Sequence, residues 1–201
     1  MKIASDAQLR EIYKEPKGRA KIKVLTALEK HSKNFIKESP FVVLATVSKT
    51  GTMDASPRGG GSGFVKIVSD TEILIPDYKG NNRVDSISNI LETASIGLLF
   101  MIPGIDETLR LNGTATLTTS PDVLASFTDE ARPPISCIVV QLEEVFLHCA
   151  KAFMRSKLWA AESQKDPNNF PSIGRMLNDQ LKSTETPETR EAMQARYTKD
   201  L

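Results

Sequence analysis

The chain has 201 residues, 40% apolar and 25% charged, enough for one well-buried core and short for two. Its 26 basic residues against 25 acidic leave a net charge of +1, which excludes the broad basic face of a nucleic-acid binder; any cation that matters must act locally. No apolar run reaches the ~18 residues that span a bilayer, and the polar start MKIASDAQLREIYKE has no apolar signal core, so a cytoplasmic protein is expected.

In chain order, residues 1–38 read as a helical lead-in. Ser5 or Asp6 can cap a short helix through Glu15, and Pro16 and Gly18 break it. From residue 19 to 38, Ile22, Leu25, Leu28, Phe35 and Ile36 fall near a helical period and predict a buried stripe. The pattern then changes. FVVLATV (41–47) is a β-branched run, Lys49-Thr50-Gly51-Thr52 is a turn signal, and 53–57 can return as a strand. Arg58-Gly59-Gly60-Gly61-Ser62-Gly63 reads as a flexible loop. Further strands are predicted at 64–68, 72–76, 94–102, 108–117 and 137–149. Two helices interrupt them: 82–92, with Val84, Ile87, Ile90 and Leu91 on one face, and one opening at Ser120-Pro121-Asp122 with a capping serine. Beyond Cys149 the chain turns helical over 151–162, over 172–181, and after a Thr186-Pro187-Glu188 cap. About seven strands with mostly short connections predict an antiparallel barrel with flanking helices.

Much chemistry is excluded by residue supply. The two histidines are His31, in a charged helix, and His148, at a strand end, so no cluster with metal-ligand spacing forms. Cys137 and Cys149 lie in apolar segments without a CxxC spacing and read as two small core residues. Residues 59–63 match neither a nucleophile elbow, nor GxxxxGK[ST], nor GxGxxG. Chemistry carried by a bound cofactor remains.

Four constellations could hold one. In residues 75–86 (IPDYKGNNRVDS) a strand ends, a Gly/Asn loop follows and a helix begins near Asn82. Free helical N–H groups, Arg83, Asn81, Asn82 and Ser86 would make a phosphate nest; the same residues also suit an ordinary capped turn. Ser56-Pro57-Arg58 offers an arginine beside a glycine-rich loop, or simply a rim arginine facing solvent. Residues 107–113 (ETLRLNG) begin a long strand, where Thr108 and nearby backbone could meet a planar ring, or they form a strand with one glycine. In residues 151–159 (KAFMRSKLW), Lys151, Arg155 and Trp159 share one helical face and could clamp a phosphate and cover a ring; otherwise Trp159 packs into the core.

Together the blocks SPRGGGSGFVKI (56–67), ILIPDYKGNNRVDSISNIL (73–91), IGLLFMIPGIDETLRLNG (96–113) and HCAKAFMRSKLW (148–159) resemble the pyridoxamine 5′-phosphate oxidase-like, FMN-binding split-barrel superfamily, and within it the branch of FMN-dependent enzymes. The resemblance implies one mostly β domain, an antiparallel split β-barrel over 41–150, with a helical lead-in (1–38) and a helical C-terminal part (151–201). It implies a homodimer with two interfacial FMN sites and an oxidoreductase using a small-molecule substrate and possibly NAD(P)H. Arg58, Asn81, Asn82 and Arg83 would hold the phosphate, with Ser56 and Pro57 also among the cofactor-binding residues. Ile75, Pro76 and Asp77 would line the isoalloxazine ring, Thr108 and Leu109 its pyrimidine side, and Lys151, Arg155, Ser156 and Trp159 would approach from the partner chain. The chain departs from true pyridoxamine-phosphate oxidases at its C-terminus, where residues 194–201 (QARYTKDL) contain no histidine; this argues against vitamin B6 oxidation. A flavin- or haem-binding sensor, or a deazaflavin reductase, on the same fold is the alternative.

Overall fold

The computed structural model describes residues 2–127 and 132–200; Leu201 of the C-terminal motif lies outside them. A first helix, α1 (Asp6–Tyr13), is capped by the Ser5 side chain accepting from the Gln8 amide. The expected long helix over 19–38 is broken into α2 (Arg19–Ile22) and α3 (Lys30–Glu38). Between them the backbone of Leu25 exchanges two hydrogen bonds with Val145, at 2.9 and 2.8 Å, as an isolated bridge on the sheet. Pairing with a strand edge outweighs a polar segment's weak helix propensity, and Ile22 is left exposed. The Glu29 carboxylate caps α3 in a capping box with Ser32, and Phe35 and Ile36 enter the core.

Seven strands follow: β1 (Phe41–Val47), β2 (Met53–Gly59), β3 (Lys66–Ile67), β4 (Glu72–Asp77), β5 (Ser95–Met101), β6 (Thr108–Thr118) and β7 (Ser136–His148). All pairings are antiparallel, in the order β2-β1-β5-β6-β7-β4-β3. Buried side chains alternate along β1 and β5, as a sheet with one covered face requires. Val42, Leu44, Leu98, Phe100, Leu109, Leu111, Ile138 and Val140 form the shared interior. β2 is an edge strand, where Pro57 costs no ladder bond, and β6 carries a bulge at Asn112/Gly113.

Two expected boundaries shift within the barrel. Arg58 and Gly59 belong to β2 rather than to the loop. The strand at 64–68 shrinks to two residues because Phe64 and Val65 turn into the core.

The helix after β4, α4 (Asp85–Thr93), begins three residues later than expected, with Val84 as a cap that makes no side-chain bond. Its buried face is Ser86, Asn89 and Ile90; Val84 and Leu91 point outward. Polar bonds dock this face. Ser86 Oγ donates to Asp54, Asn89 Nδ2 donates to Thr46 Oγ1 at 3.0 Å, and Thr93 Oγ1 donates to the Val47 carbonyl at 2.8 Å.

After β6 comes α5 (Pro121–Leu124), where Pro121 starts the helix but Ser120 makes no cap bond. After β7 comes α6 (Lys151–Ser156), which stops where Lys157 adopts a left-handed conformation, so Trp159 is off the helix that was expected to present it. Helix α7 (Ile173–Leu181) fills the helix expected over 172–181, with Ser172 as its cap. The last helix, α8 (Arg190–Tyr197), is capped by Thr189 rather than by residues 186–188. Cys137 is buried, its thiol pushed up to about 11 by burial, whereas Cys149 is exposed rather than in the core. Among the described residues no helix is long and apolar enough to cross a membrane.

Candidate functional site

Alternation along β2 puts Asp54, Ser56 and Arg58 on one half-buried face and Met53, Ala55, Pro57 and Gly59 on the other. The first face looks onto the segment that runs from the end of β4 into α4. At one end, Arg58 Nη2 stands 3.4 Å from Asp77 Oδ1, with side chains 22% and 19% exposed. At the other, Asp54 accepts from Ser86. The loop 78–84 therefore arches from one end of this face to the other.

Within the arch the electrostatics are balanced. Arg58 Nη1 donates to Ser56 Oγ and to the Pro57 carbonyl, yet its Nε is buried without a hydrogen-bond partner. Burial raises the Asp77 carboxyl above its ordinary value, and Arg58 only partly opposes this. Arg83 is exposed and donates through Nε to Asp85 Oδ2 at 2.6 Å; the field of Asp54 reaches it as well. Asn81 Oδ1 accepts from the Arg83 amide at 3.0 Å, which fixes a tight Asx turn, and Asn82 takes φ 60, a left-handed value that asparagine tolerates. Each arginine at the site thus already holds an aspartate.

The structure brings Ser56, Arg58 and Asp77 together, and Asn81, Asn82 and Arg83 lie exposed in the loop that runs from Asp77 to α4. Pro57 points to the opposite face of β2. Ile75 is wholly buried and pairs with Ile138, so its side chain belongs to the core. Pro76 pairs with Cys137, and the Asp77 carbonyl accepts from Ile135 at 2.8 Å.

The remaining candidates gather elsewhere, three strands along the sheet. Thr108 is buried at the start of β6, opposite His148, and the neighbouring Leu109 is in the core. Lys151, Arg155 and Ser156 lie exposed on α6, just past the end of β7. Trp159 Nε1 donates to the Ile105 carbonyl at 2.9 Å, and its ring stacks on Phe153 at 5.5 Å, so it closes over the loop leading into Thr108.

Two residues escaped the sequence reading. Asp54 could have been found from the i, i+2, i+4 spacing Asp54-Ser56-Arg58 on a strand. Lys79 leaves no sequence signal, because its partner Asp200, at 3.0 Å, lies 121 residues away.

The sequence matches the family described as Pyridoxamine 5′-phosphate oxidase over residues 28–149. HupZ of Group A Streptococcus, at 16% identity, superposes with a TM-score of 0.50 over 60% of this chain and 93% of that one. An FMN-binding protein from Syntrophomonas wolfei subsp. wolfei is 10% identical over 58% of this chain and 88% of that one, with a TM-score of 0.43. HutZ, the haem storage protein from Vibrio cholerae, is 14% identical over 60% and 93%, with a TM-score of 0.43. No curated protein matches the chain in sequence.

Proposed function

Because this chain belongs to the pyridoxamine 5′-phosphate oxidase family, we propose that it is an FMN-dependent oxidoreductase that acts as a cytoplasmic homodimer on a small-molecule substrate. One observation carries the reading. Arg58, with a buried Nε that no described residue satisfies, stands where an Asn-rich loop leaves β4 on its way to a helix. A buried unpaired donor is costly, and a phosphate oxygen would remove that cost.

The donors present fit a phosphate monoester on one condition. Asp77 and Asp85 must each yield part of an arginine, since a phosphate and a carboxylate compete for one fork. Arg58 would then carry the phosphate from below, with Ser56 beside it, while Asn81, Asn82 and Arg83 close from above. Bound FMN would supply a ring that accepts or donates hydride at N5. The Thr108 hydroxyl or a neighbouring backbone amide would stabilise negative charge at the pyrimidine side. Thr108 stands three places along the sheet from Arg58 within one chain, which favours a site completed by Lys151, Arg155, Ser156 and Trp159 of a second copy.

The second reading, a haem- or flavin-holding protein without turnover, rests on the exposed His148 as a haem ligand. The absorbance spectrum of the purified protein separates the two: flavin bands support the first, and a Soret band in their place supports the second. Arg58→Ala with Arg83→Ala should abolish copurifying FMN; stoichiometric flavin in that variant would overturn the phosphate assignment. Bleaching of the flavin by NADH or NADPH would identify the electron donor.

A further inference from the structure

We propose a second anion site, on the outer face of β6 and β7, in which Lys23, Arg110 and His148 surround the ring of Phe146 and receive a phosphate-bearing ligand. Arg110 lies directly across the β6–β7 ladder from Phe146. On the far side of β7, the Leu25–Val145 bridge lays the lead-in segment along the strand as an extra edge. That edge delivers Lys23, whose Nζ stands 5.2 Å from the Phe146 centroid and donates to the Leu147 carbonyl at 2.9 Å. The Arg110 guanidinium stands 5.5 Å from the same centroid. His148, two residues along on the same face, holds its ring 6.4 Å away. Three elements distant in sequence thus bring three basic side chains to one half-buried ring.

The ring accounts for part of this arrangement. Each cation gains a modest attraction from the ring's quadrupole at an exposed site. The quadrupole leaves their mutual repulsion uncompensated. Among the described residues neither Lys23 nor Arg110 has a carboxylate partner in an ion pair. Glu144, on the same face of β7, is engaged by Asn112 Nδ2 at 2.7 Å. This contrasts with the arch, where each arginine holds an aspartate. A phosphate group offers two charges and several acceptor oxygens, which match a guanidinium fork, an ammonium and an imidazole together. Within one chain the site stands three places along the sheet from Arg58, but it adjoins Thr108, the proposed pyrimidine contact, which pairs with His148; binding of pyrophosphate beside bound FMN is what distinguishes it from the flavin's own phosphate contact.

The probe is inorganic pyrophosphate, titrated calorimetrically into the full chain as purified and again after saturation with FMN. The expected result is saturable binding of one equivalent per chain in both states. Affinity should fall at least tenfold in Lys23→Ala and in Arg110→Ala and be largely retained in Arg110→Lys. Arg110→Gln serves where the alanine variant melts early by circular dichroism. Absence of saturable binding, or equal binding by the folded variants, overturns the proposal. Displacement of FMN by pyrophosphate overturns it too, because the anion site would then be the flavin's own. Failure to bind FMN at all would sink the flavin reading and leave the pyrophosphate result standing.

Discussion

Arg58 and Asp77 meet at 3.4 Å although the strands that carry them stand five places apart in the sheet. In a flat sheet five strand spacings are about 24 Å. The sheet has therefore curled until β2 faces β4, while among the described residues no ladder of hydrogen bonds joins the two. The ion pair spans the split of the barrel at the place where the Asn-rich arch begins. The Asp77 carboxylate there occupies part of the Arg58 guanidinium, the group that would otherwise face an anion.

The Asp77 carboxylate should weaken the fold at neutral pH. Burial is the larger influence and raises its carboxyl above the ordinary 3.8; Arg58 only partly offsets it. A raised folded-state value means that the protonated form is favoured by folding. That contribution is full below 3.8 and is lost as pH rises through the folded value. Asp77→Asn keeps the shape and removes the titration. Its melting temperature relative to the parent should therefore climb between pH 3 and pH 7. Arg58→Ala should move the rise to higher pH. A difference that stays flat with pH would refute the assignment. If the arch holds FMN, Asp77→Asn should also tighten flavin binding, since Arg58 is then free.

Docking of α4 on the barrel should depend on a buried amide. Asn89 and Thr46 are both buried, and the bond between them joins the helix to β1. Asn89→Ala strands the Thr46 hydroxyl and should cost about 1–3 kcal/mol in urea unfolding. Thr46→Val in the Asn89→Ala background should cost much less than Thr46→Val alone. Additive losses would show that the bond carries no coupling.

Much of this fold was legible because its signals are local. FVVLATV is β1 to the residue, since a β-branched run bounded by a turn has few other outcomes. Ser5 caps the first helix as its side chain suggested. The failures share one physical cause, which is partners distant in sequence. Leu25 left its helix for Val145, 120 residues on, and Asn89 was buried in place of Leu91 because Thr46 awaited it. At the site, sequence order placed Arg58 and residues 81–83 in separate blocks, and only the curl of the sheet brought them onto one face. Asp85 stands two residues from the Arg83 it holds, but the pairing of Arg58 with Asp77 across β2 and β4 has no sequence period.

The two cysteines should differ sharply towards an aromatic disulfide reagent. Cys137 is buried, with its thiol pushed up to about 11, and Cys149 is exposed beyond β7. At pH 8 the native protein should release one equivalent of reporter thiolate per chain quickly, and a second only after denaturation. Cys149→Ser should abolish the fast phase. A fast phase that survives this change would place Cys137 within reach of solvent.

Two glycines should respond in opposite ways to the same added methyl group. At Gly113, in the β6 bulge, a Cβ would fall 2.0 Å from the Gln141 carbonyl oxygen and 3.0 Å from its carbon. The obstacle is backbone, so relief requires the β6–β7 ladder itself to shift, and Gly113→Ala should destabilise by about 3 kcal/mol or more. At Gly80, in the arch, a Cβ meets nothing within 4 Å. Gly80→Ala should leave the melting temperature unchanged within about 0.5 kcal/mol, because the site is surface loop. Flavin content then becomes the informative measurement. A phosphate drawn into the arch approaches the backbone closely, and a methyl group there would hinder it. Gly80→Ala that folds normally and loses FMN would support the arch as the cradle, and normal flavin content would move the phosphate away from residues 78–84.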